Sequence, residues 1–181
     1  MKDILNFIIE TAKVVVIALL IVIPIRFFLF QPFIVSGQSM EPNLAHGDYL
    51  IVDQISFRFR EPERGEIVVF RYPENPSFRH IKRIIGLPGE TIITRGEGIA
   101  IKDYKGELIS LNESSYLNLD RVYGDVEILL AEDEYFVMGD NRPVSFDSRK
   151  WGPLSRENII GRFAIRLLPI NRFQKAEIPN Y

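Results

Sequence analysis

The order of apolar and polar residues divides the chain into an N-terminal apolar segment and a longer region of short alternating patterns. Residues 14–25 form an apolar run, Arg26 interrupts it, and Phe27-Phe28-Leu29-Phe30 resumes it. The stretch from Lys13 to Phe30 reaches the lower length limit for a helix that spans a bilayer. Because no small-x-small cleavage site follows, we interpret it as a transmembrane signal anchor rather than a cleaved signal peptide. A buried core helix is the alternative.

Basic residues are unevenly placed around this segment. The N-terminal flank carries the amino terminus, Lys2 and Lys13, whereas no basic residue occurs between Arg26 and Arg58. The positive-inside rule therefore predicts a single pass through the cell (inner) membrane, with a cytoplasmic N-terminus and an extracytoplasmic body.

Beyond residue 30 the pattern predicts β-structure, because short β-branched or aromatic runs alternate with turn-forming residues. The predicted strands are Tyr49–Val52, Ile67–Phe70, Ile81–Ile85, Thr91–Thr94, Tyr135–Met138 and Gly161–Leu168. Residues 103–124 are polar and turn-rich and indicate an insertion, and residues 155–160 suggest one helical turn.

These patterns predict three parts. Residues 1–30 are the cytoplasmic N-terminus and anchor, residues 31–170 a mainly β domain, and residues 171–181 a polar C-terminal tail. A small insertion is expected at about residues 95–130 within the β domain.

Composition and charge exclude several classes of function. The chain has 181 residues, with 22 basic and 24 acidic side chains and a net charge of −2, so no nucleic-acid partner is expected. Hydrophobic residues make up 46% of the chain, which argues against disorder. The absence of cysteine excludes disulfides and thiolate metal sites.

One serine and one lysine are the candidates for chemistry. Ser39 lies in the turn-forming segment 37–44, and Lys82 lies in the predicted strand 81–85. A serine nucleophile needs a base, and an unprotonated lysine can serve as one. Each residue also has an ordinary interpretation, since turn serines usually bond to local backbone and strand lysines are usually solvated charges.

Lys82 can act as a base near neutral pH only if the protein keeps its amine uncharged. Its pKa must fall from ~10.4 by roughly 2–3 units, which corresponds to about 3–4 kcal/mol. Strand alternation places His80, Lys82 and Ile84 on one face, and Ile81 and Arg83 on the other. Burial among the apolar neighbours would lower the pKa, because desolvation disfavours the charged amine.

A polar loop, residues 138–149, follows the predicted strand that ends at Met138. It combines hydroxyls, carboxylates and guanidinium groups, but it lacks the ligand spacing of a calcium-binding EF-hand. A surface loop held by its own ion pairs is the simple interpretation. The functional interpretation is that Ser145 bonds to the lysine amine and that Asp147 and Arg149 fix the loop. His46 and His80 show no metal-ligand pattern, so neither a metal nor a cofactor is expected.

Taken together, five ordered segments resemble bacterial signal peptidase I, the membrane-bound Ser/Lys endopeptidase family that removes signal peptides from exported preproteins. The resemblance extends from the apolar segment to about Leu168. The segments are Ser39–Leu44, Gly47–Val52, Arg64–Phe70, His80–Glu90, and Gly139–Arg142 followed by Ser145–Arg149.

The resemblance implies that Ser39 is the nucleophile and Lys82 the general base. It implies a hydrogen bond between Ser145 and the lysine, and a largely antiparallel β catalytic core of signal-peptidase type with a small β insertion. Substrates would carry small residues at the first and third positions before the cut. The expected oxyanion and supporting residues are Gly37, Gln38, Asp140, Asn141, Arg142, Ser145, Asp147 and Arg149.

The chain departs from the family pattern at two places. Some members have a serine two positions before the nucleophile as a second oxyanion donor, where this chain has Gly37, with Ser36 one residue earlier. Pro143-Val144 replaces an Asp-Asn pair found in many members. A related branch has histidine where Lys82 stands, and the lysine argues against that branch.

The sequence therefore predicts a membrane-bound serine endopeptidase that cleaves preprotein signal peptides after small-x-small sequences. Its expected partners are those signal peptides, the lipid bilayer and, indirectly, the secretion machinery. Two alternatives remain. One is a membrane-anchored, non-enzymatic β binding module. The other is an SOS-repressor-type Ser/Lys autoprotease, which would need a helical DNA-binding domain.

Overall fold

The computed structural model describes residues 2–24, 30–96, 98–117, 124–179 and 181, and contains a helix followed by two antiparallel sheets. Helix α1 spans Lys2–Pro24 and helix α2 spans Ser148–Trp151. The strands are β1 (Phe30–Ile34), β2 (Tyr49–Asp53), β3 (Ile67–Tyr72), β4 (Asn75–Gly86), β5 (Thr91–Arg95), β6 (Gly98–Lys102), β7 (Leu108–Ser110), β8 (Val126–Leu129), β9 (Glu134–Met138), β10 (Leu154–Ser155), β11 (Ile159–Leu168) and β12 (Gln174–Lys175). Single 3-10 turns occur at Ser56–Arg58, Arg156–Asn158 and Ile170–Arg172.

Helix α1 occupies most of the predicted membrane anchor. All of its side chains that are described, at residue 4 and residues 6–22, are exposed, so the interpretation as a buried core helix is wrong. Within the described ranges no helix has both the length and the apolar character needed to cross a membrane. The expected spanning helix is therefore not found there, and residues 25–29 of the predicted span lie outside the described residues.

The larger sheet contains eight strands in the order β1-β2-β11-β3-β4-β9-β10, with β12 also pairing with β11. Each predicted strand in this part of the chain is found, because its apolar residues are buried: β2 buries mainly alternate residues, whereas β3 and β9 each bury four residues in a row. Strand β4 is the longest, with twelve residues, and β3 pairs with it so that Val68 is opposite Lys82. The next residue, Arg83, is also opposite Met138 of β9. Lys82 and Arg83 therefore lie well inside the sheet.

A second, four-stranded sheet has the order β7-β6-β5-β8. Strands β6, β7 and β8 lie within residues 95–130, where an insertion was expected, and β5 begins before them. This sheet packs against the larger one through a shared apolar core of Ile85, Ile92, Ile99, Ile101, Leu111, Leu130, Phe136 and Met138. Gly86 allows this close approach, because a Cβ there would lie only 2.4 Å from Ile92 Cδ1. The second sheet is thus packed on the larger sheet.

Two further apolar clusters support the larger sheet. One, centred on Phe70, Ile84 and Val137, lies beneath β3, β4 and β9. The other lies under the Ser39 turn and contains Val35, Met40, Leu44, Leu50, Ile67 and Phe163. Burying a side chain such as Met40 or Leu44 contributes about 1.5–3 kcal/mol, so this cluster anchors the segment that carries the serine.

Candidate active site

The Ser39 turn is fixed by buried apolar residues on both sides of the serine. Val35 and Met40 are buried, whereas the intervening residues 36–38 are exposed. Leu44 N donates to Met40 O at 2.8 Å, and Gly47 N donates to Val35 O at 2.9 Å. Gly37 has a φ of 92°, a left-handed conformation that glycine adopts without strain. The turn therefore presents Ser39 at the surface of a rigid loop.

Strand β4 brings Lys82 to this serine. Lys82 Nζ lies 2.7 Å from Ser39 Oγ and also donates to Ile81 O at 3.0 Å. The lysine is only 4% exposed, so its amine is largely shielded from water. The two predicted catalytic residues therefore lie within direct proton-transfer distance.

The environment of Lys82 favours a neutral amine. Burial lowers the pKa of Lys82 from 10.5 to about 8, because desolvation penalises the ammonium. The carboxylates of Asp147 and Asp140 oppose this decrease, and the positive charge of Arg149 adds to it. A substantial fraction of Lys82 is thus unprotonated slightly above neutral pH, as a general base requires.

The loop after β9 holds the serine from its backbone side. Asn141 N donates to Ser39 O at 3.0 Å. Gly139 packs directly against the same carbonyl, since a Cβ at this position would lie 2.4 Å from Ser39 O and 2.3 Å from Ser145 Oγ. The two predicted loop residues Asn141 and Ser145 are therefore adjacent to the nucleophile.

Asp147 stabilises this loop through its buried carboxylate. It accepts hydrogen bonds from Gly139 N at 3.0 Å and from Arg149 Nε and Nη2 at 2.8 Å each. It also caps α2 by accepting from Arg149 N. Arg149 Nη2 in turn donates to Arg142 O at 2.7 Å. The expected Asp147–Arg149 ion pair is present and closes the loop on itself.

Asp140 lies on the opposite side of β4 from Lys82. Its carboxylate accepts from Arg83 Nε at 2.8 Å and from Arg83 Nη2 at 2.7 Å, and from Asn43 Nδ2 at 2.8 Å. Neither Arg83 nor Asn43 was predicted as a site residue. Strand alternation indicated that Arg83 faces away from Lys82, but no sequence pattern revealed its partner.

The predicted hydrogen bond between Ser145 and Lys82 is not formed. Ser145 Oγ is buried and bonds to no residue in the described part of the chain. The lysine amine is instead directed to Ser39 Oγ and to the carbonyl of Ile81. Ser145 instead lies against Gly139, next to the backbone carbonyl of Ser39.

Gly37 and Gln38, predicted on the oxyanion side, line the cleft next to Ser39. The Gly37 amide donates to His46 Nδ1 at 3.2 Å, which orients the backbone just before the serine. Ser36 also lines the cleft and is exposed.

A cleft of about 420 Å³ leads to Ser39 and Lys82. Residues 33–38 form one wall, residues 79–81 form the other, and Val144 and Phe146 lie at one side. The His80 ring stacks on Tyr72 with centroids 4.9 Å apart, and the Phe146 ring meets Tyr72 edge-on. Burial and, to a smaller extent, the charge of Lys82 lower the pKa of His80, so its ring is neutral near neutral pH, and Arg79 is the charged side chain of this wall. The cleft suits an extended, mostly apolar peptide.

Arg142, predicted among the oxyanion and supporting residues, pairs with Glu113, which was not predicted as a site residue. Its Nη1 and Nη2 donate to Glu113 at 2.7 Å and 2.6 Å, and both side chains are 1% exposed. Glu113 lies in the polar segment that was interpreted as an insertion. The only sequence signal was the presence of Leu111, Tyr116 and Leu117 within that polar segment.

A family model and the sequences of known relatives indicate the same family. A family model described as signal peptidase, peptidase S26, matches residues 8–168. The chain is 36% identical to a probable signal peptidase I-2 of Synechocystis sp., over 90% of this chain and 74% of that protein. It is 36% identical to signal peptidase I P of Bacillus subtilis subsp. natto, over 94% of each. A crystal structure of a signal peptidase I from Enterococcus faecalis V583 aligns with a TM-score of 0.48 and 31% identity, covering 57% of this chain and 97% of that chain.

Proposed function

We propose that Ser39 is the nucleophile and Lys82 the general base of this chain, which belongs to the peptidase S26 family of signal peptidases and is a serine endopeptidase that removes signal peptides from preproteins. The observation that carries the proposal is the 2.7 Å separation of Lys82 Nζ from Ser39 Oγ beside a cleft. The lowered pKa of the lysine supports the same assignment.

The proposed reaction has two halves. Neutral Lys82 takes the proton from Ser39 as Oγ attacks the carbonyl carbon of the scissile peptide. The resulting ammonium then protonates the leaving amine as the C–N bond breaks, which leaves an acyl-enzyme. A water molecule that gives a proton to Lys82 attacks the ester, and Ser39 is released when it regains its proton.

Backbone amides of the Ser39 turn would stabilise the oxyanion. The Ser39 amide is the proposed principal donor, and the neighbouring Gln38 backbone contributes to the same side of the cleft. The Gly37 amide supports the turn by donating to His46 Nδ1. Gly37 carries no hydroxyl, so a side-chain donor at this position is not part of the proposed mechanism. Asp140, Asn141, Asp147 and Arg149 are proposed as supporting residues, because their hydrogen bonds hold the loop against Ser39.

We propose that substrates bind as extended chains with small residues at the first and third positions before the cut. Alternate side chains of an extended peptide point to the same side, so these two positions would face the same wall. The large side chains Phe33, Ile81 and Phe146 narrow the cleft and favour small residues.

We further propose that the apolar residues 14–30 attach the enzyme to the cell membrane, with the N-terminus cytoplasmic and the β domain outside. The exposed apolar side chains of α1, such as Val14 and Leu20, support this placement because they lack a protein partner that would cover them. Carbonate extraction and protease protection of membrane vesicles test it. Release of the full chain into the soluble fraction by carbonate would contradict membrane attachment.

Substitution of the two catalytic candidates tests the proposed mechanism. Ser39→Ala and Lys82→Ala should each lower cleavage of a preprotein in detergent by roughly 10³-fold or more, because neither half of the pair acts without the other. Ser77→Ala and Lys102→Ala are matched controls, since both residues are exposed and neither lines the cleft; Ser77 lies near the start of β4 and Lys102 at the end of β6. They should retain wild-type rates.

A serine-reactive probe separates the enzyme from a non-enzymatic binding module. The probe should label the wild type and the Ser77→Ala variant but not Ser39→Ala. Full cleavage by either Ser39→Ala or Lys82→Ala would overturn the assignment of the pair.

A further inference from the structure

The segment Glu113–Leu117, which follows β7 of the second sheet, is buried although it lies in a polar stretch. Glu113, Tyr116 and Leu117 are buried, whereas Ser114 and Ser115 are exposed. Leu117 N donates to Glu113 O at 3.0 Å, which folds the segment into a compact turn. Its buried side faces the back of the active site, away from the substrate cleft.

The first contact of this segment is with the loop after β9. Glu113 receives two hydrogen bonds from Arg142, whose Nε donates to Gly139 O at 2.9 Å. Gly139 is the residue that packs against Ser39 O. A fully buried ion pair thus connects the segment to the backbone that supports the nucleophile.

The second contact is with β4, at the residue after the general base. The Arg83 guanidinium lies over the Tyr116 ring, 4.2 Å from its centroid. The Tyr116 hydroxyl donates to Glu113, so the same residue links the two contacts. Burial raises the pKa of Tyr116, which keeps the hydroxyl protonated for this bond.

The third contact is with the nucleophile turn. Asn43 Nδ2 donates to Tyr116 O at 2.9 Å and to Asp140 Oδ2 at 2.8 Å. One short turn therefore contacts the three chain segments that carry Ser39, Lys82 and the supporting loop.

We propose that Glu113 and Tyr116 are positioning residues, which hold these three segments in the arrangement that places Ser39 Oγ against Lys82 Nζ. Neither residue lines the substrate cleft, so their effect is exerted through Arg142, Arg83 and Asn43. The second sheet would then contribute to catalysis, since the turn after its strand β7 places the Glu113 carboxylate and the Tyr116 ring behind the active site. Small displacements of reacting groups reduce turnover steeply.

This inference rests on the proposed Ser39–Lys82 mechanism, and Glu113→Gln tests it most directly. The amide retains the shape of the carboxylate but leaves the Arg142 charge uncompensated. Glu107→Gln is the matched control, because Glu107 is exposed in the same part of the chain. The rate should be measured on a preprotein in detergent and normalised to the concentration of active sites, which is titrated with a serine-reactive inhibitor.

We expect Glu113→Gln to lower kcat per titrated site by roughly 10–100-fold, with KM changed by less than about threefold. Glu107→Gln should match the wild type. A purely structural role would reduce the number of titrated sites but leave kcat per site unchanged, and that outcome would overturn the proposal.

A second variant covers the case in which Glu113→Gln does not fold. Tyr116→Leu keeps the Glu113–Arg142 pair but removes the ring from Arg83, and it should lower kcat per site by about tenfold. Wild-type kcat per site in this variant would also contradict the proposal. Activity that survived Ser39→Ala in the same assay would instead show that the underlying mechanism is wrong.

Discussion

Lys82 and Arg83 are neighbours in β4, and both are almost fully buried, yet their surroundings shift the pKa values of the two side chains in opposite directions. On the cleft side, Lys82 Nζ contacts a neutral hydroxyl and a neutral carbonyl. On the reverse side, Arg83 forms a two-point ion pair with Asp140 and also donates to Gly65 O. Burial lowers the pKa of Lys82 to about 8. Burial alone would also lower the pKa of Arg83, but the Asp140 carboxylate outweighs it and raises that pKa.

The difference shows that burial by itself does not decide whether a side chain is charged. A carboxylate in direct contact compensates a buried cation, whereas neutral partners leave the desolvation cost unrelieved. The strand therefore carries a reactive amine on one side and a structural cation on the other. Methionine at each position, with similar volume and no charge, provides the matched test.

The largest expected effect on stability is that of Arg83→Met. Removing the guanidinium leaves the Asp140 carboxylate buried with only the Asn43 amide as its remaining side-chain donor among the described residues. We expect the free energy of unfolding to fall by about 3–5 kcal/mol. Urea denaturation at pH 7 measures it, and a loss below about 1 kcal/mol would mean that the pair is not the main support of the strand.

Lys82→Met should change the free energy of unfolding in the opposite direction to Arg83→Met. The folded protein holds Lys82 with a pKa of about 8, below its ordinary 10.5, so folding at pH 7 carries the cost of burying or deprotonating the amine. Removing the amine should raise the free energy of unfolding by about 3 kcal/mol at pH 7.

The pH dependence of this difference provides the check. Between pH 8 and 10.5 the unfolded wild type binds more protons than the folded protein, so the free energy of unfolding of the wild type should rise with pH. The difference in free energy of unfolding between the Lys82→Met variant and the wild type should therefore shrink. A gap that stayed constant with pH would contradict a lowered Lys82 pKa. The variant should also be inactive, which separates its stability from its function.

The smallest effect is expected from Asp147→Asn, in the pH profile of kcat/KM. For the wild type the rate should rise with pH through the pKa of about 8, because the neutral amine is the active form. The Asp147 charge raises this pKa and Arg149 lowers it, so removing the carboxylate should move the acidic limb to lower pH by less than about 1 unit. Asp133→Asn, at an exposed carboxylate in the turn before β9, serves as the control. A shift of the limb to higher pH would show that loop loosening dominates over charge.

The strands that local residue patterns specify were predicted best from the sequence. The six predicted strands are present because β-branched and aromatic runs such as Ile67–Phe70, in which all four residues are buried, favour a position inside a sheet. Strands β1, β10 and β12 were not predicted because they are short or contain residues such as Pro32, and their pairing depends on distant partners. Strands β6, β7 and β8 were not predicted individually either, although they lie in the region where a small β insertion was expected. The 3-10 turn Arg156–Asn158 lies within the predicted helical turn.

Residues on the reverse side of the site were harder to predict from the sequence. Ser39, Lys82, Asp147 and Arg149 were identified because they occur in segments with a recognisable order. Glu113 and Asn43 were not, since their partners lie 29 and 97 positions away and leave no local signal. The predicted Ser145 bond failed for a related reason, because the orientation of a lysine amine among several acceptors depends on packing.

The sequence by itself determined the family, six of the strands and the nucleophile and base candidates, because these depend on residue type and on spacing along the chain. The tertiary structure alone decided which charges are compensated, since desolvation and ion pairing depend on distances between segments remote in sequence. It placed Lys82 among neutral groups and Arg83 on Asp140, although the two residues are consecutive. That placement is what makes one cation a candidate base and the other part of the scaffold.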